Sequence, residues 1–278
     1  MPVSQTSSLA NVPISVEEFA LFQRLIYKIA GISLADSKQT LLVGRLQKRL
    51  RHHELDSFSA YYRMLSSGSH PDELQTMVDL LTTNETYFFR EAKHFDFLRD
   101  EVLRVRRETT PFRIWSAASS SGEEAYTMAM VLAEHFSQQS HWEVVGSDIS
   151  TEVLSKASRG LYSTDRIDGI PPALLRKYCL KGVRSQAGTL LIDSRLRRHV
   201  SFRQVNLTQP VAADIGQFEV IFLRNVMIYF DLETKRKVVA NLLPRLAAGG
   251  YFIVGHSESL NGVTEALQTV RPTIYRKP

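Results

Sequence analysis

On either side of the run Thr83 to Glu91 the chain follows two different hydrophobic rhythms. From Ser15 to about Leu81 apolar positions recur at spacings of three and four, as at Leu42, Leu46 and Leu50, with breaks at Gly31, around Asp56-Ser57 and from Gly68 to Pro71. This predicts four short helices and no strand. Ser15 with Glu18 three residues later is a capping-box signature, so the first helix should begin there and residues 1–14 should form a mobile tail.

After a linker and connecting helix over residues 84–111 the period shortens. Phe112 to Trp115 reads as a strand, Ser116 to Gly122 as a loop of small residues, Glu123 to Phe136 as a helix, and Trp142 to Ser147 as a second strand ending at Asp148. A helix near Pro171 to Tyr178 and strand-like runs Thr189 to Asp193 and His199 to Arg203 then interrupt the alternation. They predict a small antiparallel β-insertion over about residues 160–203. The alternation resumes with a strand Phe218 to Phe222, a helix Leu232 to Leu246 ending at Gly249-Gly250, and a strand Tyr251 to Val254. Leu267 to Val270 and Thr273 to Arg276 make a closing hairpin. The predicted architecture is a doubly wound, Rossmann-like α/β domain over residues 112–278, preceded by an all-α domain over residues 15–83.

A strand, a tight loop, a helix and a second strand ending in an acid form a nucleotide-binding arrangement, in which the acid takes the ribose hydroxyls. Gly-x-Gly-x-x-Gly is missing, and Glu123 and Glu124 stand where a pyrophosphate needs positive potential, which argues against a dinucleotide. A cationic ligand with an amino group and a ribose, such as S-adenosylmethionine, fits instead. Upstream, Asn84 and Thr86 offer hydrogen bonds and Arg90 a planar fork suited to a carboxylate.

The net charge of +5 has a location: ten basic and three acidic residues lie between Arg159 and Arg203, so the remainder is slightly acidic. The first domain is balanced, eight basic against eight acidic. Four of its basic residues, Arg45, Lys48, Arg49 and Arg51, nevertheless fall on one helix whose leucines face the core, which turns Arg45, Lys48, Arg49 and His52 outward as a docking face for an acidic partner. A single cysteine, Cys179, and the lack of any apolar run of about 20 residues predict a soluble, cytoplasmic protein. His52-His53, His94 and His256 have no metal-ligand spacing and read as surface or capping residues.

Thr83-Asn84 through Arg90-Glu91, Trp115-Ser116-Ala117-Ala118 with Gly122-Glu123-Glu124, Ser147-Asp148-Ile149, Arg224 through Phe230, and Gly255-His256-Ser257-Glu258 resemble, in order, the motifs of the bacterial chemotaxis receptor methyltransferases, the CheR family. The similarity runs from about Ile14 onward. Ser119 and Ala125 depart from it, where family members often carry Cys and Pro, and neither position supplies chemistry. The resemblance implies S-adenosylmethionine-dependent methylation of receptor glutamates, with S-adenosylhomocysteine as product. It implies cofactor contacts from Asn84, Thr86, Arg90, Glu124, Asp148, Asn206, Leu207, Arg224 and Asn225, with catalytic roles for Arg90 and Tyr229. The chemoreceptor cytoplasmic domain would be the partner, docked on the basic helix, and a C-terminal receptor peptide would bind the β-insertion. A nucleic-acid methyltransferase is disfavoured because Arg224-Asn225-Val226-Met227 stands where base-amino enzymes place acceptors for the nitrogen. A non-catalytic S-adenosylmethionine-sensing adaptor is disfavoured by the intact set of site motifs.

Overall fold

The computed structural model describes residues 12–106, 111–137 and 140–278. Most of the expected N-terminal tail and the end of the expected linker lie outside them. Two compact units divide between Thr83 and Asn84.

Among the described residues the first unit holds four α-helices, α1 (Val16–Ala30), α2 (Gln39–His52), α3 (Phe58–Ser66) and α4 (Pro71–Leu81). The capping box forms: Glu18 N donates to Ser15 Oγ at 3.1 Å and Ser15 N donates back to Glu18 Oε2 at 2.9 Å. Glu18 also accepts from the Ser59 amide and hydroxyl, which ties the starts of α1 and α3 together. Leu42, Leu46 and Leu50 are fully buried, as the spacing predicts.

The basic residues of α2 are not all turned outward. Arg49 pairs with the buried Glu73 of α4, its Nε 2.8 Å from Oε1, and Tyr61 donates to the same oxygen at 2.6 Å. Burial opposes ionisation of Glu73, yet the hydrogen bonds from Arg49 and Tyr61 prevail and hold its carboxyl down at about 2. Arg45 donates to the carbonyls of Leu81 and Thr82, which the end of α4 leaves without helical partners. Lys48, Arg51 and His52 are exposed. The expected docking face is thus thinned, because two of its cations satisfy buried or orphaned groups within the unit.

The second unit opens with α5 (Lys93–Phe97), whose helical path continues through a π turn to Val105. There follow β1 (Phe112–Ser116), α6 (Glu123–His135), β2 (Trp142–Asp148), α7 (Thr151–Arg159), β3 (Leu161–Ser163), α8 (Pro172–Tyr178), β4 (Cys179–Lys181), β5 (Thr189–Ile192), α9 (Ser194–Arg197) and β6 (Val200–Gln204). The chain ends through β7 (Phe218–Leu223), α10 (Leu232–Leu242), β8 (Leu246–Val254), β9 (Gln268–Arg271) and β10 (Ile274–Arg276). The main sheet has the order β6-β2-β1-β7-β8-β10-β9. Strands β6, β2, β1, β7 and β8 pair in parallel, and β10 and β9 close the edge antiparallel. β1, β2 and β7 are buried almost throughout, which explains their continuous apolar runs. α6 is buried nearly all round, as a helix covering a parallel sheet should be.

Two expectations need correction. The run His199 to Arg203 is not part of the insertion: it supplies β6, the parallel edge strand beside β2. The three-stranded insertion, in the order β3-β5-β4, lies wholly within residues 161–192. The helix expected to reach Leu246 stops at Leu242, because Pro244 has no amide to continue it, and Gly249-Gly250 lie inside the nine-residue strand β8.

Candidate active site

Parallel pairing puts the carboxyl ends of β6, β2, β1, β7 and β8 along one edge of the sheet, where ligands of open α/β folds bind. Sequence-predicted residues collect there. Asp148 ends β2, Glu124 stands in the first turn of α6, Asn206-Leu207 follow β6, and Arg224-Asn225 follow β7. The link carrying Asn84, Thr86 and Arg90 joins the same edge through Ser120 Oγ donating to the Asn84 carbonyl at 3.0 Å and Phe89 N donating to Thr127 Oγ1 at 3.1 Å.

Four of the seven positive-φ residues other than glycine among the described residues belong to these segments: Phe89 (56°), Glu91 (58°), Ser120 (49°) and Asn225 (57°). Backbone held in this region costs about 1 to 3 kcal/mol per residue and persists only where neighbours enforce it. Gly122, at φ 97°, begins α6, and a Cβ there would come within 2.9 Å of Ala157 Cβ. A Cβ on Gly255 would come within 2.6 Å of Asn225 Nδ2, so the tip of β8 can approach the tip of β7 only as glycine.

The centre of the site is one guanidinium between two carboxylates. Arg224 Nη1 donates to Glu124 Oε2 at 2.8 Å, Nη2 donates to Glu91 Oε2 at 2.9 Å, and Nη2 also donates to the Arg90 carbonyl. Its guanidinium carbon stands 5.5 Å from the Phe95 ring centre and 5.8 Å from that of Phe222. Glu91 further accepts from Asn225 Nδ2 at 3.1 Å and from the His256 amide at 3.2 Å. Glu124 also accepts from Ser116 Oγ at 2.6 Å. Burial works against the charge on Glu91, but Arg224 and Asn225 outweigh it and bring its carboxyl to about 2. For Glu124 burial wins, and its carboxyl is raised despite the same guanidinium.

The Arg224 side chain is 1% exposed and committed to internal partners. Glu91, which those partnerships bring to the centre, carries no site role in the sequence reading. The only hint was its place at the end of the aromatic run. Glu123, the second acid at the helix start, is 1% exposed, accepts from Ser121 Oγ at 2.7 Å and pairs with Arg166 at 3.5 Å.

Asp148 is buried, and its two oxygens accept the Ser120 and Ser150 amides, each at 3.0 Å, so backbone donors fix its direction. Asn206 makes a turn, its Oδ1 accepting from the Thr208 amide and hydroxyl. Leu207 is buried, and its carbonyl accepts from Asn241. Thr86 is buried, and its carbonyl accepts from Arg166. Tyr229 is half-buried in the turn Met227–Tyr229 after β7. Arg90 stands 5.6 Å from the Tyr87 ring centre and donates to the Glu85 carbonyl. Among the described residues no carboxylate is within ion-pair distance of it.

His94 and His256 are not both surface residues. His94 is buried, its ring centre 4.9 Å from that of the exposed His256, and burial beside Arg224 lowers its pKa to about 3. A cavity of about 290 Å³ lined by Phe112, Arg113, Trp142, Glu143 and His199 opens at the amino ends of the strands, the opposite edge from this site.

Family profiles match both units: "CheR methyltransferase, all-alpha domain" over residues 17–82 and "CheR methyltransferase, SAM binding domain" over residues 84–276. The chain is 38% identical to the chemotaxis protein methyltransferase of Escherichia coli K12, across 99% of this chain and 97% of that one. It is 39% identical to chemotaxis protein methyltransferase 2 of Pseudomonas aeruginosa, across 93% and 92%. The corresponding protein of Borreliella burgdorferi is 33% identical over the full length of both.

Proposed function

The chain belongs to the CheR methyltransferase family, and from that membership we propose how its residues divide the work of methylating chemoreceptors. It is an S-adenosylmethionine-dependent methyltransferase that esterifies glutamate side chains of chemotaxis receptors. Bound S-adenosylmethionine would supply an electrophilic methyl on its sulfonium: in one step a carboxylate oxygen bonds to that methyl as the carbon–sulfur bond breaks, and S-adenosylhomocysteine leaves. A glutamate with a pKa of about 4.3 is already ionised near neutrality, so the protein needs no general base. Its task is to hold and align, which in the best-oriented systems supplies roughly 7 kcal/mol or more of the barrier.

One observation carries the assignment of roles: a single guanidinium stands between two carboxylates, so this cluster carries one negative charge in excess when both are ionised. That excess fits a ligand carrying an ammonium and a sulfonium. Glu124 takes the ammonium, with Arg224 and Glu91 holding it in place. Asp148, fixed by two backbone amides, takes the ribose hydroxyls. Asn84, Thr86 and Asn225 border the methionyl end, Asn206 and Leu207 the adenine, and Tyr229 walls the transferred methyl.

Arg90 aligns the substrate glutamate. Arg224 is saturated by internal partners, whereas Arg90 has its fork on the same edge without a paired carboxylate among the described residues. Arg90→Lys keeps the charge and loses the fork. Initial rates of methyl incorporation into receptor should fall roughly tenfold or more, the scale of one charge-assisted hydrogen bond, with S-adenosylhomocysteine affinity preserved. Wild-type rates in the Lys variant would remove Arg90 from the reaction.

The C-terminal receptor segment is assigned to the insertion. β4 is an edge strand with Leu180 exposed, Lys181 ends it and Arg184 follows, features suited to adding a peptide strand that ends in a carboxylate.

A further inference from the structure

We propose that Glu91, His94 and His256 form a binding site for a divalent transition-metal ion of the zinc type, whose occupancy withdraws Glu91 from Arg224 and so inhibits the neighbouring reaction. The effect on catalysis rests on the functional reading above, and the metal site does not. The ligand atoms of the three side chains all lie within 4.8 Å of one another.

The argument begins with the His94 tautomer. Thr273 Oγ1 is 2.6 Å from the Pro272 carbonyl oxygen, which can only accept, so the single hydroxyl proton is spent there. His94 Nε2 is 2.8 Å from the same Oγ1 and must therefore donate to it. That places the ring proton on Nε2 and leaves a lone pair on Nδ1. Nδ1 faces Glu91 Oε2 at 3.4 Å, and His94 is 2% exposed with Nδ1 lacking a hydrogen-bond partner among the described residues. Glu91 Oε2 already accepts from Arg224 and from the His256 amide, so it is the Nδ1 lone pair that stands buried beside an anionic oxygen with no proton to share.

The geometry fits a metal in three ways. With metal–ligand bonds of about 2.0 to 2.1 Å, two ligands of a tetrahedral zinc ion are separated by roughly 3.4 Å. The His94–Glu91 pair already has that spacing. A ligating histidine donates its other ring N–H to a fixed acceptor, and Thr273, held at φ 67° in the turn before β10, is that acceptor here. The third ligand, His256, is exposed and can turn inward, while its backbone amide, bonded to Glu91, stays where it is. Arg224 is the opposing charge nearby, and Glu124 on its other side offsets it.

The test uses untagged full-length protein and Co²⁺ as an optical probe for the zinc site, without cofactor or receptor. One Co²⁺ per chain should bind with visible ligand-field absorption, no sulfur charge-transfer band, and displacement by Zn²⁺. Thr273→Ala should weaken binding about 10- to 100-fold, as loss of a partner behind a metal ligand does. His256→Ala should weaken it at least as much. Zn²⁺ should slow receptor methylation by the wild type and not by His256→Ala, whose methylation without metal should match the wild type. No Co²⁺ spectrum, a thiolate band pointing to Cys179, or wild-type affinity in both variants would overturn the proposal. Metal binding without inhibition would overturn the link to Glu91 alone.

Discussion

Glu124 reports most directly on the electrostatics of the site. Its carboxyl is raised by burial in the free protein, and a ligand ammonium is held best by its ionised form. Affinity should therefore be full above the raised value and fall as pH drops through it. Glu91, the other carboxylate on Arg224, does not supply this dependence, because it is held down at about 2. S-adenosylhomocysteine affinity followed as pH is lowered from neutrality should fall in the wild type, and in Glu124→Gln it should be about tenfold weaker at neutrality and flatter. A flat wild-type profile would mean that Glu124 does not meet the ammonium. At this scale the sequence was legible where a residue's place alone decides its use. Asp148 ends a strand, so its position at the ligand edge followed from the strand. Arg224 and His94 were not legible, because their partners are more than 130 and nearly 180 residues away in the chain, at Glu91 and Thr273, and no local pattern names them.

Helix α2 shows how far an element can be read from its own stripe. The buried leucines were evident from spacing, whereas the fates of Arg45 and Arg49 depended on what α4 offers, a buried acid and unsatisfied end carbonyls. Lys48 and Arg51 are the cations of α2 that are exposed to solvent. Replacing both by Ala should raise the apparent Michaelis constant for receptor and flatten its salt dependence, since exposed charges are screened beyond roughly 8 Å at physiological ionic strength. S-adenosylhomocysteine affinity should be unchanged. Unaltered salt dependence would move docking to the basic insertion. The strand errors have a similar cause: His199 to Arg203 has the same alternation whether it pairs with the insertion or with β2, and only β2 offers an open parallel edge.

For the whole molecule, the order of elements was readable because parallel strands with crossover helices leave few arrangements. The carboxyl edge then gathers Asp148, Glu124 and the two loop tips after β7 and β8 without further design. The central claim is that this edge is one S-adenosylmethionine site with Asp148 as its ribose anchor. Calorimetric titration of S-adenosylhomocysteine into the wild type and Asp148→Ala tests it most directly. The account predicts binding weakened by roughly 1.5 to 3 kcal/mol, about 10- to 100-fold, with the fold intact. Equal affinity in the two proteins would contradict it.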